Sequence, residues 1–301
     1  KRKTESKKMI RKILLWGQDD KKATFPRRRR EDQHSHSSGG ESGTDDKKDK
    51  IVPTLIHQVP NTNLLGAGEI SIVVISDTHG DHRKLDMPPT ADLLIHAGDF
   101  TLYGKKEQVE DFNCWLGELP YRHKIVVNGN HECNAVWKGS VKKLLSNAIF
   151  LQNEFLELTD IGEEKNNNLR IYGMDFSWPC LGGNPAFEQI DMPMDILISH
   201  CPADGFVDNR MGCPALTQAT FRLKPRLVIS GHIHNARGVA TSQDDEITFI
   251  NAATARGGHS FGQQPIIIQF VNADDNEQQC EENRATGRVM AVRQAFIDYF
   301  M

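Results

Sequence analysis

The 301-residue sequence has no C-x-x-C pair, no Asn-x-Ser/Thr sequon and no Walker-A loop. These absences exclude a zinc ribbon or thioredoxin-type dithiol, N-glycosylation and a P-loop nucleotide site. No apolar run approaches the roughly 20 residues that a membrane helix needs. The front shows no signal-peptide pattern. The six cysteines (Cys114, Cys133, Cys180, Cys201, Cys213 and Cys280) therefore read as reduced thiols of an intracellular protein. The expected location is the cytoplasm, or the nucleus if the basic front segment serves as an address. Positive charge is scarce outside that segment. Residues 1–50 carry 16 Lys+Arg against 9 Asp+Glu, and the rest carries 20 against 31. An acidic body argues against a broad nucleic-acid surface.

Residues 1–50 mix Lys, Arg, Ser, Gly and Asp without apolar periodicity and read as a basic disordered tail. Within it, Met9–Trp16 (MIRKILLW) has the composition of a short basic amphipathic helix for a membrane surface or a protein partner. A tail with a transient helical turn is the plainer reading. The run Arg27–Arg30 reads first as solvated charge and second as a nuclear signal.

The second region, 51–271, is the expected folded domain. Short β-branched runs begin near residue 70: ISIVVIS (70–76), DLLIHAG (92–98), KIVVNG (124–129), LRIYG (169–173), DILISH (195–200), RLVISG (226–231), ITFINA (247–252) and PIIIQF (265–270). Several are continuously apolar, as strands covered on both faces require. Lys105–Leu116 and Val136–Leu145 have helical patterning, so the fold class is α/β in layers. The close spacing of the later strands predicts a second, more antiparallel sheet. Residues 272–301 read as an acidic linker and a C-terminal helix from about Arg284 to Tyr299.

Chemistry gathers where these strands end. Asp77 and His79 follow the first run, Asp99 the second, and Asn130 and His131 the third. His200 ends DILISH, and His232 and His234 end the run RLVISG. In layered α/β folds, sites form where the carboxyl ends of strands meet. A spacing of two puts both members of a pair on one face of an extended segment. Seven candidate ligands (Asp77, His79, Asp99, Asn130, His200, His232, His234) include only two carboxylates. One divalent ion cannot use them all, whereas two ions sharing Asp99 can. Two dications, two carboxylates and a bridging hydroxide leave a net charge of about +1, suited to a phosphodiester monoanion. Mixed imidazole and oxygen donors suit Mn, Fe, Co, Ni or Zn better than Mg or Ca.

Asp-x-His, Gly-Asp, Gly-Asn-His-Glu, a lone His and Gly-His-x-His, in that order, resemble the calcineurin-like metallophosphoesterase family over residues 70–270. Within it the sequence is most similar to the small metallophosphoesterase-domain subfamily related to class III cyclic-nucleotide phosphodiesterases. ISDTHG, GDFTLYG, FNCWLGELPYRHKIVVNGNHE, the Gly-Cys at 212–213, KPRLVISGHIH and FINAAT carry that similarity. The resemblance implies a four-layer αββα sandwich of two mixed sheets flanked by helices. It implies one ion on Asp77, His79, Asp99 and His234, and a second on Asp99, Asn130, His200 and His232. Manganese comes first among the candidate metals. His131 would bind the phosphate or protonate the leaving alkoxide, and Glu132 would accept the other ring N–H of His131. A metal-bridged hydroxide would attack phosphorus in line, without a covalent intermediate. The implied substrate is a small phosphodiester, with nucleotides or cyclic nucleotides favoured. The alternative is a non-catalytic scaffold of the same fold that recruits partners.

The sequence departs from the family at Cys201, where a Gly usually follows the lone His, and at Cys133 beside Glu132. Either thiol is a candidate for oxidation or extra metal binding, with core packing the plainer reading. Asp175–Asp195 is short and lacks the Trp-rich turns expected of close relatives, which leaves the substrate mouth open to difference. His57, His82, His96, His123 and His259 read as structural histidines, with His96 also placed to support Asp99. Gly258–Gly262 matches G-x-S-x-G but no histidine follows it, so a nucleophile elbow is excluded. Gly66–Gly68 precedes its strand instead of following one, which excludes a dinucleotide loop. Asp99 is followed by FTLYG and no Asp-Arg-Gly, which sets the chain apart from Ser/Thr protein phosphatases.

Overall fold

The structure, a computed structural model, describes residues 69–159, 161–162, 168–178, 180–181, 183–244, 246–271 and 289–294. The tail readings, His57 and Gly66–Gly68 lie outside these residues. The elements run in order β1 (Glu69–Ile75), β2 (Leu93–His96), α1 (Lys106–Glu118), β3 (His123–Val127), α2 (Val141–Leu144), β4 (Ile149–Leu151), β5 (Glu154–Leu158) and β6 (Leu169–Gly173). There follow α3 (Pro185–Glu188), β7 (Ile196–Ile198), α4 (Pro214–Leu223), β8 (Leu227–Ser230), β9 (Gly238–Thr241), β10 (Thr248–Asn251), β11 (Ala255–Arg256), β12 (Ser260–Phe261), β13 (Ile266–Val271) and β14 (Val289–Gln294).

Side-chain alternation along these strands sets four layers. Ile70, Ile72 and Val74 of β1 join Ile171, Ile196, Ile198, Leu227 and Ile229 of the other sheet in one buried cluster between the sheets. Val73 and Ile75 face the opposite way, against Val109, Phe112 and Leu116 of α1. Leu197, Val228 and Phe249 pack on Phe187 of α3 and on Leu216 and Ala219 of α4. Burial on both faces is what the continuous apolar runs require. Each fully buried aliphatic side chain contributes about 1.5–3 kcal/mol.

One sheet has the order β14-β13-β1-β2-β3-β4 and the other β5-β6-β7-β8-β10-β9. The expectation of a more antiparallel second sheet is corrected. Each sheet has a parallel centre (β1-β2-β3-β4 and β6-β7-β8-β10) with antiparallel strands towards its edges. Crossovers through α1 and α4 join the parallel pairs β2-β3 and β7-β8, whereas β5-β6 and β9-β10 are antiparallel pairs of successive strands.

Two helix readings change as well. Val136–Leu145 opens with a 3-10 turn at Lys138–Ser140, and only Val141–Leu144 is α-helical. Of the expected C-terminal helix, residues 289–294 are a strand paired antiparallel with β13. That pairing supplies hydrogen-bond partners to an otherwise open sheet edge. No helix among the described residues is long and apolar enough to cross a membrane.

Candidate metal centre

Five parallel strands, β1, β2 and β3 of one sheet and β7 and β8 of the other, end at one edge of the sandwich. Their backbones do not stay extended there. Asp77, His79, Asp99 and His232 all adopt left-handed conformations, with φ of 56°, 46°, 57° and 64°. Each costs on the order of 1–3 kcal/mol, and such strain gathers at functional sites. The two-residue spacing therefore does not act through a flat strand face. His79 and His234 turn to one side of the site and His232 to the other.

Hydrogen bonds lock the turns together. Asp77 N–H donates to Gly98 O and His79 N–H to Asp99 O, both at 3.0 Å. Across the sheets, the His232 N–H donates to both oxygens of Asp77 at 3.0 Å. Gly129 is needed for close approach: a Cβ there would stand 2.0 Å from Asp99 Oδ1 and 2.4 Å from the Asp99 nitrogen. Gly129→Ala is expected to displace the Asp99 turn and abolish tight metal binding, measurable by calorimetric Mn(II) titration. Wild-type affinity in that variant would show the approach to be dispensable.

All seven predicted ligands converge, and they form two abutting groups. Asp77, His79 and His234 offer one donor atom each within 4.8 Å of one another, and Asp99, His200 and His232 do the same. His234 Nε2 lies 3.2 Å from Asp77 Oδ1 and 3.3 Å from His79 Nε2. His200 Nε2 lies 3.2 Å from both Asp99 Oδ2 and Asn130 Oδ1, and 3.9 Å from Asp77 Oδ1, where the groups meet.

This arrangement fits cations. The His200 Nδ1–H donates to Ala97 O at 2.7 Å, so a neutral ring turns its Nε2 lone pair at two oxygens that also have only lone pairs to offer. Positive charge must sit between them. Without a metal, a proton does so. Burial, the largest influence on His200, lowers its pKa, but Asp99 and Asp77 override it and bring it up to about 9. Burial raises Asp77, yet His200 and His234 overcome this and hold it at about 2. Burial pushes His79 and His232 down to about 4, leaving neutral imidazoles, the form that ligates metals.

His131 stands beside the first group. Its Nδ1 accepts the Tyr103 N–H at 3.1 Å, so the neutral ring carries its proton on Nε2, which lies 3.8 Å from Asp99 Oδ2. The expectation that Glu132 orients His131 is corrected. Glu132 is fully buried and accepts from Asp99 N, Gly129 N, Thr101 N and Thr101 Oγ1 at 2.6–3.0 Å. It ties the Asp99 turn to the Gly129 turn. Its backbone makes it face inwards, and His131 finds its partner in the neighbouring loop. Burial and Asp99 push its carboxyl up to about 7 against those donors.

His96 lies beneath the site. It accepts the Gly98 N–H at Nδ1, at 3.3 Å, and donates from Nε2 to Thr78 Oγ1 at 3.0 Å, so it braces the turn between Asp77 and His79. His82 is buried against Phe112 and Trp115. Cys201 is buried and Cys133 donates to Gly129 O; burial raises both thiols, Cys133 to about 12, so both stay protonated. Cys201 packs in the cluster beneath α4, whereas Cys133 is half-buried against the Gly129 turn.

His259 was missed. It joins the site, its ring centroid 4.6 Å from His79 and 4.8 Å from His131. The signal was the Gly257–Gly258 pair, which turns the β11–β12 hairpin back (φ 36° and 79°) so soon after GHIH. Aromatic rings flank both sides. Phe176 and Trp178 meet His232 at 5.6 and 4.9 Å, and Tyr103, 60% exposed, stacks on His131 at 5.2 Å.

The calcineurin-like phosphoesterase family model matches residues 70–236. Human metallophosphoesterase domain-containing protein 1 is 34% identical over 257 residues, covering 72% of this chain and 76% of that protein. UPF0046 protein K07C11.7 of Caenorhabditis elegans is 32% identical over 249 residues, covering 73% and 85%. Among solved structures, TT1561 of Thermus thermophilus aligns with 16% identity and a TM-score of 0.46, covering 67% of this chain and 94% of that one.

Proposed function

The chain belongs to the calcineurin-like phosphoesterase family, and from that premise we propose that it is a dinuclear metal-dependent phosphodiesterase of small nucleotides or cyclic nucleotides. The observation that carries this reading is the pair of abutting donor groups, in which His200 Nε2 meets Asp99 Oδ2 and Asn130 Oδ1 at 3.2 Å while its Nδ1–H is taken by Ala97 O, so that a cation is called for between them. Asp77, His79, Asp99 and His234 would hold one ion, and Asp99, Asn130, His200 and His232 the other. When bound, two such ions supply a water of lowered pKa and clamp the phosphoryl oxygens. Manganese is the proposed metal, within a donor set that also suits Fe, Zn, Co or Ni.

The chain's own residues do the rest. Two carboxylates offset only half the charge of two dications, so the site draws in an anionic diester. His131, with its proton fixed on Nε2 by the Tyr103 N–H, gives that proton to the leaving oxygen. Phe176 and Trp178 on one side and Tyr103 on the other offer flat faces to a nucleobase. A scaffold that only recruits partners has no need of seven converging donors, so catalysis is the preferred reading.

The test is turnover by metal-stripped protein to which Mn(II) is restored. Bis-p-nitrophenyl phosphate is compared with p-nitrophenyl phosphate, and cyclic AMP is added as a nucleotide. The reading expects manganese-dependent hydrolysis favouring diesters. Hydrolysis of the monoester alone would overturn the diesterase assignment. The role of His131 gives a separate prediction. His131→Ala should lower kcat by about 10²–10⁴-fold on a nucleoside leaving group, with KM little changed. On p-nitrophenolate, which leaves without a proton, the loss should be much smaller. Equal losses on both would remove His131 as the proton donor.

A further inference from the structure

His259 is surplus to the two donor groups, yet it stands among them. Its ring, that of His79 and that of His131 form a near-equilateral triangle, with centroids 4.6, 4.6 and 4.8 Å apart. One nitrogen of each lies within 4.8 Å of the others. The rings meet at 56° and 75°, so they are not stacked flat for dispersion alone. His79 Nδ1 is buried without a hydrogen-bond partner, and His131, its Nδ1 held by the Tyr103 N–H, brings Nε2–H, whose proton a metal would have to displace.

The hairpin that presents His259 is fixed in place. Arg237 donates to Ala253 O at 2.8 Å and to Gln264 O at 2.7 Å, one on each side of the hairpin. His259 is therefore held beside the centre by a hairpin anchored at both of its ends.

Three imidazoles without a carboxylate make a donor set different from the other two. Each of those contains an aspartate and suits a harder ion. Three histidines with an open fourth position suit zinc, at Zn–N distances of about 2.0–2.1 Å. Nitrogens on such an ion stand roughly 3.4 Å apart, so small side-chain rotations close the triangle.

We propose that His79, His131 and His259 form a third, zinc-selective pocket, and that filling it switches the enzyme off. The inhibition rests on the reading of the site as a phosphoesterase with His131 as its proton donor. Zinc takes the place of the proton on His131 Nε2, which leaves to solvent while Nδ1 keeps the Tyr103 N–H, and the ring then has no proton to give to the leaving group. Through His79 the zinc also competes with the ion in the Asp77 group.

The experiment uses the full chain, as wild type, His259→Ala and His259→Asn. Zinc binding is measured by equilibrium dialysis with metal analysis, and zinc is titrated into manganese-loaded protein during bis-p-nitrophenyl phosphate hydrolysis. Even residues that only orient a ligand change metal affinity about 10–100-fold, so loss of His259 should weaken one class of zinc binding and raise the inhibitory zinc concentration by at least about tenfold. Unchanged zinc binding and inhibition in both variants would overturn the proposal. If wild type shows no turnover, the phosphoesterase reading fails, while dialysis still reports whether a His259-dependent zinc site exists.

Discussion

Asp99→Asn should lose about a thousandfold in manganese-supported turnover while remaining folded. Asp99 is the ligand proposed to be shared; its Oδ2 lies 3.2 Å from His200 Nε2, which itself stands 3.9 Å from Asp77 Oδ1 of the other group. Asparagine preserves the volume and one acceptor oxygen for the His131 backbone N–H, now bound at 2.9 Å. What it removes is the negative charge that two cations would share. Two-metal stabilisation of phosphoryl oxygens is worth several kcal/mol, and about 4 kcal/mol corresponds to a thousandfold in rate. The comparison is kcat at saturating Mn(II), with circular dichroism to confirm folding. A loss of less than about tenfold would mean that Asp99 is not shared between ions.

Glu132→Ala should cost more stability than any ligand substitution, even in metal-free protein. Its carboxylate is the common acceptor for three backbone N–H groups and one hydroxyl, all within a fully buried pocket. Removing it strands four donors, and each unsatisfied buried group costs about 1–3 kcal/mol. Some relaxation and water entry leave roughly 3–5 kcal/mol, or a fall in Tm of about 10 °C or more for a domain of this size. Glu132→Gln keeps one acceptor oxygen and should fall between the two. Scanning calorimetry of metal-free protein separates this from catalysis. A melting temperature within a degree or two of wild type would show that Glu132 does not hold the Asp99 and Gly129 turns together.

The parallel core was legible because β1, β2, β3, β7 and β8 are buried on both faces, and such strands are written as unbroken Val, Ile and Leu runs. β5 and β9 escaped notice because partly covered edge strands carry no such run. The segment 289–294 misled for a related reason: VMAVRQ suits either helix or strand, and its pairing with β13 decides between them. All seven donors were legible because each sits at the carboxyl end of one of those strands. How they are held was not. Left-handed backbones at Asp77, His79, Asp99 and His232 are invisible when no glycine marks them. Glu132 was assigned to its sequence neighbour, whereas its partners come from the turn after β2, 31–33 residues earlier, and from Gly129. His259 lacked a partner at motif spacing, and only the folded hairpin brings it in.

The most direct test of the dinuclear centre is a Mn(II) titration of metal-stripped protein, followed by electron paramagnetic resonance and by diester hydrolysis in the same samples. The account predicts two ions per chain, a spin-coupled signal from ions about 3.5–4 Å apart, and turnover that appears with the second ion. In His232→Ala the coupled signal and the turnover should vanish together. A single uncoupled ion supporting full activity, or hydrolysis by folded protein without metal, would contradict it.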